Sequence, residues 1–293
     1  MPELPEVETT VRGLNRALNS LSARFIDVWA DWKKTIKKPR NFKSFKAGIK
    51  KNKIEKIWRR GKNIIFELSD NYSLLIHQKL TGHLLYGYWV RRGNNWQPSG
   101  NDILADRVNN YIHLLFFLDN GKMIALSDLR KFANVELWKT EELLASSGFN
   151  NLGPEILEKS FTFEKFKEAL SKKKGKIKEV LMNQSVIVGV GNIYSDEALW
   201  RAQVNPFKKI PDLTNRELEK IYDSLRDVLQ KSIELHGESF SDYRDTNGEK
   251  GGFDKIRMVY RRKGEKCQCC GTIIKRKKIG SRSCHFCPAC QKI

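Results

Sequence analysis

The sequence predicts an α+β fold of more than one domain, and three observations carry that expectation. From Ala23 to Trp138 the residues read as strands after one leading helical stripe. Beyond a junction at Asn150-Asn151-Leu152-Gly153-Pro154 the periodicity turns helical. The stretch 251–293 holds all six cysteines, with 12 Lys/Arg against 2 Asp/Glu.

The chain has 293 residues, room for two domains on a prior of ~100–200 residues each. A 40% hydrophobic and 10% aromatic content supplies a core and excludes wholesale disorder. Lys and Arg number 54 against 34 Asp and Glu, a net charge of +20, about half of it in the cysteine-rich tail. A surplus of that size speaks of a polyanionic partner rather than of fold. The start, MPELPEVETTVRGL, has no apolar run and does not read as a secretory signal. Stretches such as Leu114–Leu118 are far too short to span a bilayer. The expectation is a cytoplasmic, polyanion-binding chain with no membrane partner.

Taken in order, Val7, Val11, Leu14 and Leu18 form one helical stripe, with Pro5 suited to the first turn and Glu6 and Glu8 to the positive end of the dipole. Asn63–Leu68 and Tyr72–Leu80 flank a Ser-Asp-Asn turn. Tyr111–Leu118 and Lys122–Leu126 flank Asp119-Asn120-Gly121, a tight hairpin signal. Arg91–Asn110, polar and rich in Gly and Asn, reads as a loop. Helical periodicity follows at Phe163–Leu170, Ile177–Met182, Tyr194–Ala202 and Arg216–Leu235. Gly237–Gly252 has few apolar residues and reads as a long loop of the kind that is functional or disordered. No internal repeat is present.

Two CxxC pairs, Cys267/Cys270 and Cys287/Cys290, stand 16 residues apart. Each pair can turn two thiolates onto one ion, and four thiolates close a tetrahedral structural zinc site. Disulfides or inert thiols are the competing reading, and the zinc-ribbon spacing disfavours it. Cys269 and Cys284 remain possible substitutes as ligands. Between the pairs, Lys275-Arg276-Lys277-Lys278 and Arg282 would present positive charge to phosphates from a metal-pinned hairpin. Val188-Gly-Val-Gly-Asn192 could expose backbone N–H groups at a helix start, where phosphate binds, although such turns are also ordinary. Removal of Met1 before Pro2 would leave a secondary amine. An α-amino group has a pKa near ~8, so a fraction is neutral and nucleophilic, and attack on an aldehyde carbon gives an iminium. Glu3 beside it could shuttle protons. Taken alone, Met-Pro-Glu is just a common start.

Several segments together resemble the formamidopyrimidine-DNA glycosylase family. They are MPELPEVETT, Arg60-Gly61-Lys62, His77-Gln78-Lys79-Leu80-Thr81-Gly82, Asp128-Leu129-Arg130-Lys131-Phe132, Leu152-Gly153-Pro154-Glu155, the stretch from Gly189 to Glu197 and the terminal cysteine module, in order over nearly the whole chain. The resemblance implies an N-terminal β-sandwich with a leading helix (1–140), a linker (141–155), a helix–two-turns–helix domain with a lesion-capping loop (156–252) and a zinc finger (253–293), with DNA crossing the cleft between domains. It implies a bifunctional glycosylase and abasic-site lyase in base excision repair, acting on 8-oxoguanine and formamidopyrimidines.

By the same resemblance Pro2 is the nucleophile on the sugar C1′, Glu3 the acid that assists ring opening, Lys62 the lysine of β-elimination and Arg282 the arginine of δ-elimination. Extracting a base leaves a gap to fill, and the family's Met-Arg-Phe trio matches Leu80, Arg130 and Phe132. Leu80 replaces methionine at similar volume. Core packing is the competing reading for Leu80 and Phe132. Phosphate contacts carry over to His77, Lys173 and Asn192, and Tyr111 stands where relatives have a DNA-contacting histidine. Gln78 replaces a leucine.

One structural zinc held by Cys267, Cys270, Cys287 and Cys290, a monomer, damaged double-stranded DNA as partner and a cytoplasmic, nucleoid-associated location complete the expectation. The alternatives are an endonuclease VIII-like glycosylase for oxidised pyrimidines and a non-catalytic zinc-ribbon DNA-binding protein. Leu4, where the pyrimidine branch has Gly, and the long Gly237–Gly252 segment favour the purine branch.

Overall fold

Residues 1–18, 23–100, 102–239 and 242–292 are described by the structure, a computed structural model. Contacts divide the chain into two units, Met1–Asn150 with Leu235–Gly252, and Asn151–Glu234 with Phe253–Ile293.

The first unit opens with α1 (Leu4–Leu18), followed by β1 (Phe25–Ala30), β2 (Ile36–Lys38), α2 (Phe42–Ile49), β3 (Ile54–Arg60), β4 (Asn63–Leu68), β5 (Tyr72–His77), β6 (His83–Gly87), β7 (Trp89–Arg92), β8 (Asn95–Pro98), β9 (Ile112–Leu118), β10 (Met123–Ser127), β11 (Asn134–Lys139), α3 (Thr140–Ala145) and α4 (Ser147–Asn150). One sheet runs β1-β9-β10-β6 and the other β2-β11-β5-β4-β3, antiparallel except for the β2/β11 pair. Period-2 alternation sends Leu114, Phe116 and Leu126 of the first sheet and Ile64, Phe66, Leu74 and Ile76 of the second into one shared core. The two sheets therefore form a sandwich. Val7, Val11, Leu14 and Leu18 of α1 and Phe45 and Ile49 of α2 enter the same core. Glu8 accepts from Arg12 at 2.8 Å and from Arg59 of β3 at 2.9 Å, tying α1 to the second sheet. Burial raises the Glu8 pKa, but the two guanidiniums outweigh it and leave it below the ordinary value.

The outer sheet faces are covered as well. Leu143 and Phe149 pack with Ile65 and Leu75 on the second sheet, so the first unit extends to Asn150 through the span read as the start of a linker. The Arg91–Asn110 span is not the simple loop its polarity indicates. Within it the β7–β8 hairpin is completed, and two short 3-10 helices, Asp102–Ala105 and Arg107–Asn110, follow. Trp89 and Leu104, with Trp96 beside them, cover Leu85, Leu115 and Ala125 on the first sheet. Asn101 of this span, like Phe240 and Ser241 of the later loop, lies outside the described residues. The contact division also places Leu235–Gly252 with the sandwich rather than with the helices that precede it. Glu238 N–H donates to Glu6 Oε1 at 2.8 Å, Tyr243 Oη to the Glu6 carbonyl at 3.0 Å, and Tyr86 N–H to the Thr246 carbonyl at 2.8 Å.

The second unit holds α5 (Phe163–Ser171), α6 (Ile177–Leu181), α7 (Asn192–Arg201), α8 (Asn215–Glu234) and the hairpin β12 (Lys275–Ile279)–β13 (Arg282–Phe286). Thr214 and Glu217 form a reciprocal capping box at the start of α8: Glu217 N–H donates to Thr214 Oγ1 at 3.2 Å, and Thr214 N–H to Glu217 Oε2 at 2.8 Å. Leu218, Ile221, Leu225, Leu229 and Ile233 then bury one helical stripe. No helix among the described residues is long and apolar enough to cross a membrane.

Candidate active site and nucleic-acid interface

Pro2 and Glu3 are buried at the head of α1. Glu3 is the residue before the helix, its carbonyl accepting the Val7 N–H at 3.1 Å, while its own N–H donates to Glu6 Oε2 at 2.7 Å. Glu6 thus fills the glutamate position of a capping box and fixes the backbone from which the Pro2 ring projects. The sequence reading valued Glu6 only for its charge, although the three-residue spacing from Glu3 was the available signal.

Lys62 sits in the two-residue turn between β3 and β4, where Arg60 pairs with Asn63. Gly61 takes φ +59 there, the conformation that a two-residue hairpin asks of its first central residue. Lys62 is buried at 7% exposure. His77 ends β5 opposite Asn63 of β4 and Asn134 of β11. Its Nδ1 accepts the Lys79 N–H at 3.0 Å, which leaves Nε2 as the protonated nitrogen. Burial, then the charges of Lys79 and Lys62, lower the His77 pKa to about 3, so the ring is a neutral N–H donor at physiological pH.

Two connections cross between the sheets at the same end of the sandwich. The 78–82 connection leaves β5 at His77 and enters β6 at His83, which pairs with Ser127. The 128–133 connection leaves β10 at Ser127 and enters β11 at Asn134, which pairs with His77. Asp128 binds the two together. It accepts from Thr81 Oγ1, from Ala133 N–H at 2.8 Å and from Arg130 N–H at 3.3 Å. Leu80 and the Arg130–Phe132 pair are therefore displayed side by side. Phe132 is 48% exposed with the Arg130 guanidinium 4.8 Å from its ring centroid, which excludes a core role for it. Leu129, unremarked in the sequence, is exposed beside them. Tyr111 joins the group through its carbonyl, which accepts the Asp128 N–H at 2.8 Å. Gln78 is 1% exposed, and neither end of its amide finds a hydrogen-bond partner among the described residues.

In the second unit, Lys173 follows the last turn of α5, and Asn192 is the first residue of α7. Gln184 shapes the glycine turn before α7, accepting the Gly189 N–H at 2.9 Å and donating to the Val190 carbonyl at 2.8 Å. Gly191, the residue before α7, offers no side-chain cap to that helix. Arg282 is exposed at the tip of the β12–β13 hairpin, beside the Gly280-Ser281 turn. The hairpin is fastened to α6 and α7 by a buried ion pair absent from the sequence reading. Lys178 Nζ binds Asp196 and the Ser283 carbonyl, and Asp196 Oδ2 accepts the His285 N–H at 2.9 Å.

The sulfurs of Cys267, Cys270, Cys287 and Cys290 all lie within 4.8 Å of one another. Zn–S bonds of about 2.3 Å in a tetrahedron put sulfurs about 3.8 Å apart, and Cys267–Cys290 and Cys270–Cys287 stand at 3.9 and 3.4 Å. The four thiols fit one zinc. Cys284 is instead buried with Ile279, Phe286 and Phe207, and Cys269 is exposed outside the cluster, so neither substitutes as a ligand.

Comparison with known proteins agrees along the whole chain. Residues 1–135 match the formamidopyrimidine-DNA glycosylase N-terminal domain, 152–244 the formamidopyrimidine-DNA glycosylase H2TH domain, and 264–293 a zinc finger found in FPG and IleRS. A formamidopyrimidine-DNA glycosylase of Pelotomaculum thermopropionicum is 39% identical over 100% of both chains. A Lactococcus lactis FPG variant solved with Fapy-dG-containing DNA superposes with a TM-score of 0.86 at 32% identity, covering 100% of both chains. The Lactococcus lactis Fpg solved with abasic-site DNA gives 0.85 at 31% identity, over 99% of this chain and 100% of that one.

Proposed function

The chain belongs to the formamidopyrimidine-DNA glycosylase family, and on that premise we propose how its residues divide the family's work. It is a base excision repair glycosylase for oxidised purines, with one structural zinc, and enzymes of the family are also abasic-site lyases. The observation that carries the assignment of roles is the buried Pro2-Glu3 pair held at the head of α1 by Glu6.

Once Met1 is removed, the Pro2 nitrogen attacks C1′ of the damaged nucleotide. Its lone pair forms the N–C1′ bond as the glycosidic bond breaks, and the departing base takes up the proton that the nitrogen sheds. Glu3 gives a proton to the sugar ring oxygen as the C1′–O4′ bond opens, yielding an iminium. The iminium draws electrons from C2′ and acidifies its proton. Loss of that proton expels the 3′ phosphate with help from Lys62, and Arg282 assists the second elimination on the 5′ side. Leu80, Arg130 and Phe132 occupy the space left by the extruded base. His77, Lys173 and Asn192 contact the backbone, and Tyr111 offers a further hydroxyl. The Gly237–Gly252 segment covers the displaced purine. The partner is damaged duplex DNA, bound by a monomer working in the cytoplasm on the nucleoid.

Duplexes carrying one defined lesion test this reading. 8-Oxoguanine and formamidopyrimidine should be released much faster than an oxidised pyrimidine such as thymine glycol. Faster release of the pyrimidine, or release of no base, would overturn it.

A further inference from the structure

The described residues of the Gly237–Gly252 segment are anchored at several points. At the neck, Gly252 N–H donates to the Leu235 carbonyl at 2.7 Å and Gly251 N–H to Ser239 Oγ at 2.8 Å. Further along, Tyr243 bonds to α1, and Thr246 packs on Gly13 with no room for a Cβ there. A further anchor is the Arg91–Asn110 span that covers the first sheet. Arg244, 3% exposed, donates to Asp106 Oδ2 from Nε at 3.0 Å and from Nη2 at 2.9 Å. Its Nη1 donates to the Tyr243 carbonyl at 2.8 Å. The other Asp106 oxygen accepts the Val108 N–H at 3.3 Å and caps the Arg107–Asn110 turn. That turn is itself fixed, since Asn109 bonds to buried His83 at 2.9 Å and to the Ile103 carbonyl at 3.3 Å. Gly248, at φ +89, lies against the same Asn109 and Ile103 atoms, where a Cβ would come within 2.9 Å.

A charged side chain buried this deeply persists only when fully paired, so Arg244 binds the segment to Asp106 in one geometry. We propose that the Asp106–Arg244 pair is a brace through which the Arg91–Asn110 span sets the position of the purine-covering segment, making Asp106 a positioning residue for excision of an intact oxidised base. The inference rests on the reading of Gly237–Gly252 as that cover. An abasic site presents no base to cover, so strand cutting there does not require the brace.

Asp106→Ala should lower kcat/KM for 8-oxoguanine excision at least tenfold while cleavage of a preformed abasic site stays within twofold. Asp106→Glu should recover most of the loss. Arg244→Lys, which keeps the charge but not the two-pronged contact, should fall between and covers the case of an alanine variant that does not fold. Equal losses on both substrates, or no loss on either, would overturn the brace. Shortening the chain between Glu238 and Asp242 separates the two ideas. If that change spares excision of 8-oxoguanine, the covering role itself fails. If it impairs excision while Asp106→Ala does not, only the brace fails.

Discussion

Glu6 joins Glu3 to Glu238, which lies 232 residues beyond Glu6 in the chain: one carboxylate oxygen accepts the Glu3 N–H at 2.7 Å and the other accepts the Glu238 N–H at 2.8 Å. A single buried side chain therefore caps the helix behind the proposed nucleophile and holds the neck of the loop proposed to cover the base. Glu6→Ala strands both donors, at about 1–3 kcal/mol each. Denaturant unfolding should show a loss of about 2–6 kcal/mol, with base excision falling too, because both elements shift. A loss below about 0.5 kcal/mol would contradict the double anchor.

How much of this was legible beforehand follows from the range over which each signal acts. The α1 stripe, the hairpin at Asp119-Asn120-Gly121 and the cysteine spacing are local patterns, and the structure places the helix, the strands and the four-thiol cluster accordingly. Arg91–Asn110 misled because Trp89, Trp96 and Leu104 lie too far apart to make a period, and their partners are on a sheet folded from other segments. The anchoring roles of Glu6, Asp128 and Asp196 are hidden in the sequence for a related reason. Each is a buried carboxylate whose value lies in backbone N–H groups brought to it by folding. Leu80, Arg130 and Phe132 are brought together only by the two sheet crossings that carry them, so no periodicity picks them out and their proposed role comes from the resemblance.

The neutral state of His77 has a pH signature. Its pKa is lowered from about 6.5 when unfolded to about 3 when folded, so between these values the unfolded chain binds one more proton. Stability then falls as pH drops through that window, by up to ~1.4 kcal/mol per pH unit from this group. Unfolding free energies of wild type and His77→Gln, measured from pH 7 to pH 4, should diverge, the variant losing less on acidification. Parallel curves would show that His77 protonates normally in the folded chain.

Gln78 carries a cost that its replacement should recover. Its amide is buried without a hydrogen-bond partner among the described residues, and leucine has similar volume without the polar atoms. Gln78→Leu should stabilise the protein by about 1–3 kcal/mol in urea unfolding. Destabilisation would mean that the amide is satisfied in solution by a bound water.

Lys178 and Asp196 are both fully buried, and through Ser283 and His285 they secure the hairpin that carries Arg282. Lys178→Met takes the ammonium partner from the buried Asp196 carboxylate, at a cost of about 3–5 kcal/mol. Hydrogen exchange should show β13 losing protection in this variant, and chelation of the zinc should loosen the same hairpin from its other end. Full protection of β13 in both experiments would contradict this attachment.

The central claim is that the Pro2 nitrogen becomes covalently joined to the damaged sugar. Borohydride reduces an iminium to a stable amine and leaves a noncovalent complex untouched. Protein lacking Met1, incubated with an 8-oxoguanine duplex and borohydride, should give a protein–DNA adduct that peptide mass mapping locates at Pro2, and a variant with one residue retained before Pro2 should give none. Base release without an adduct, or an adduct located at Lys62, would contradict it.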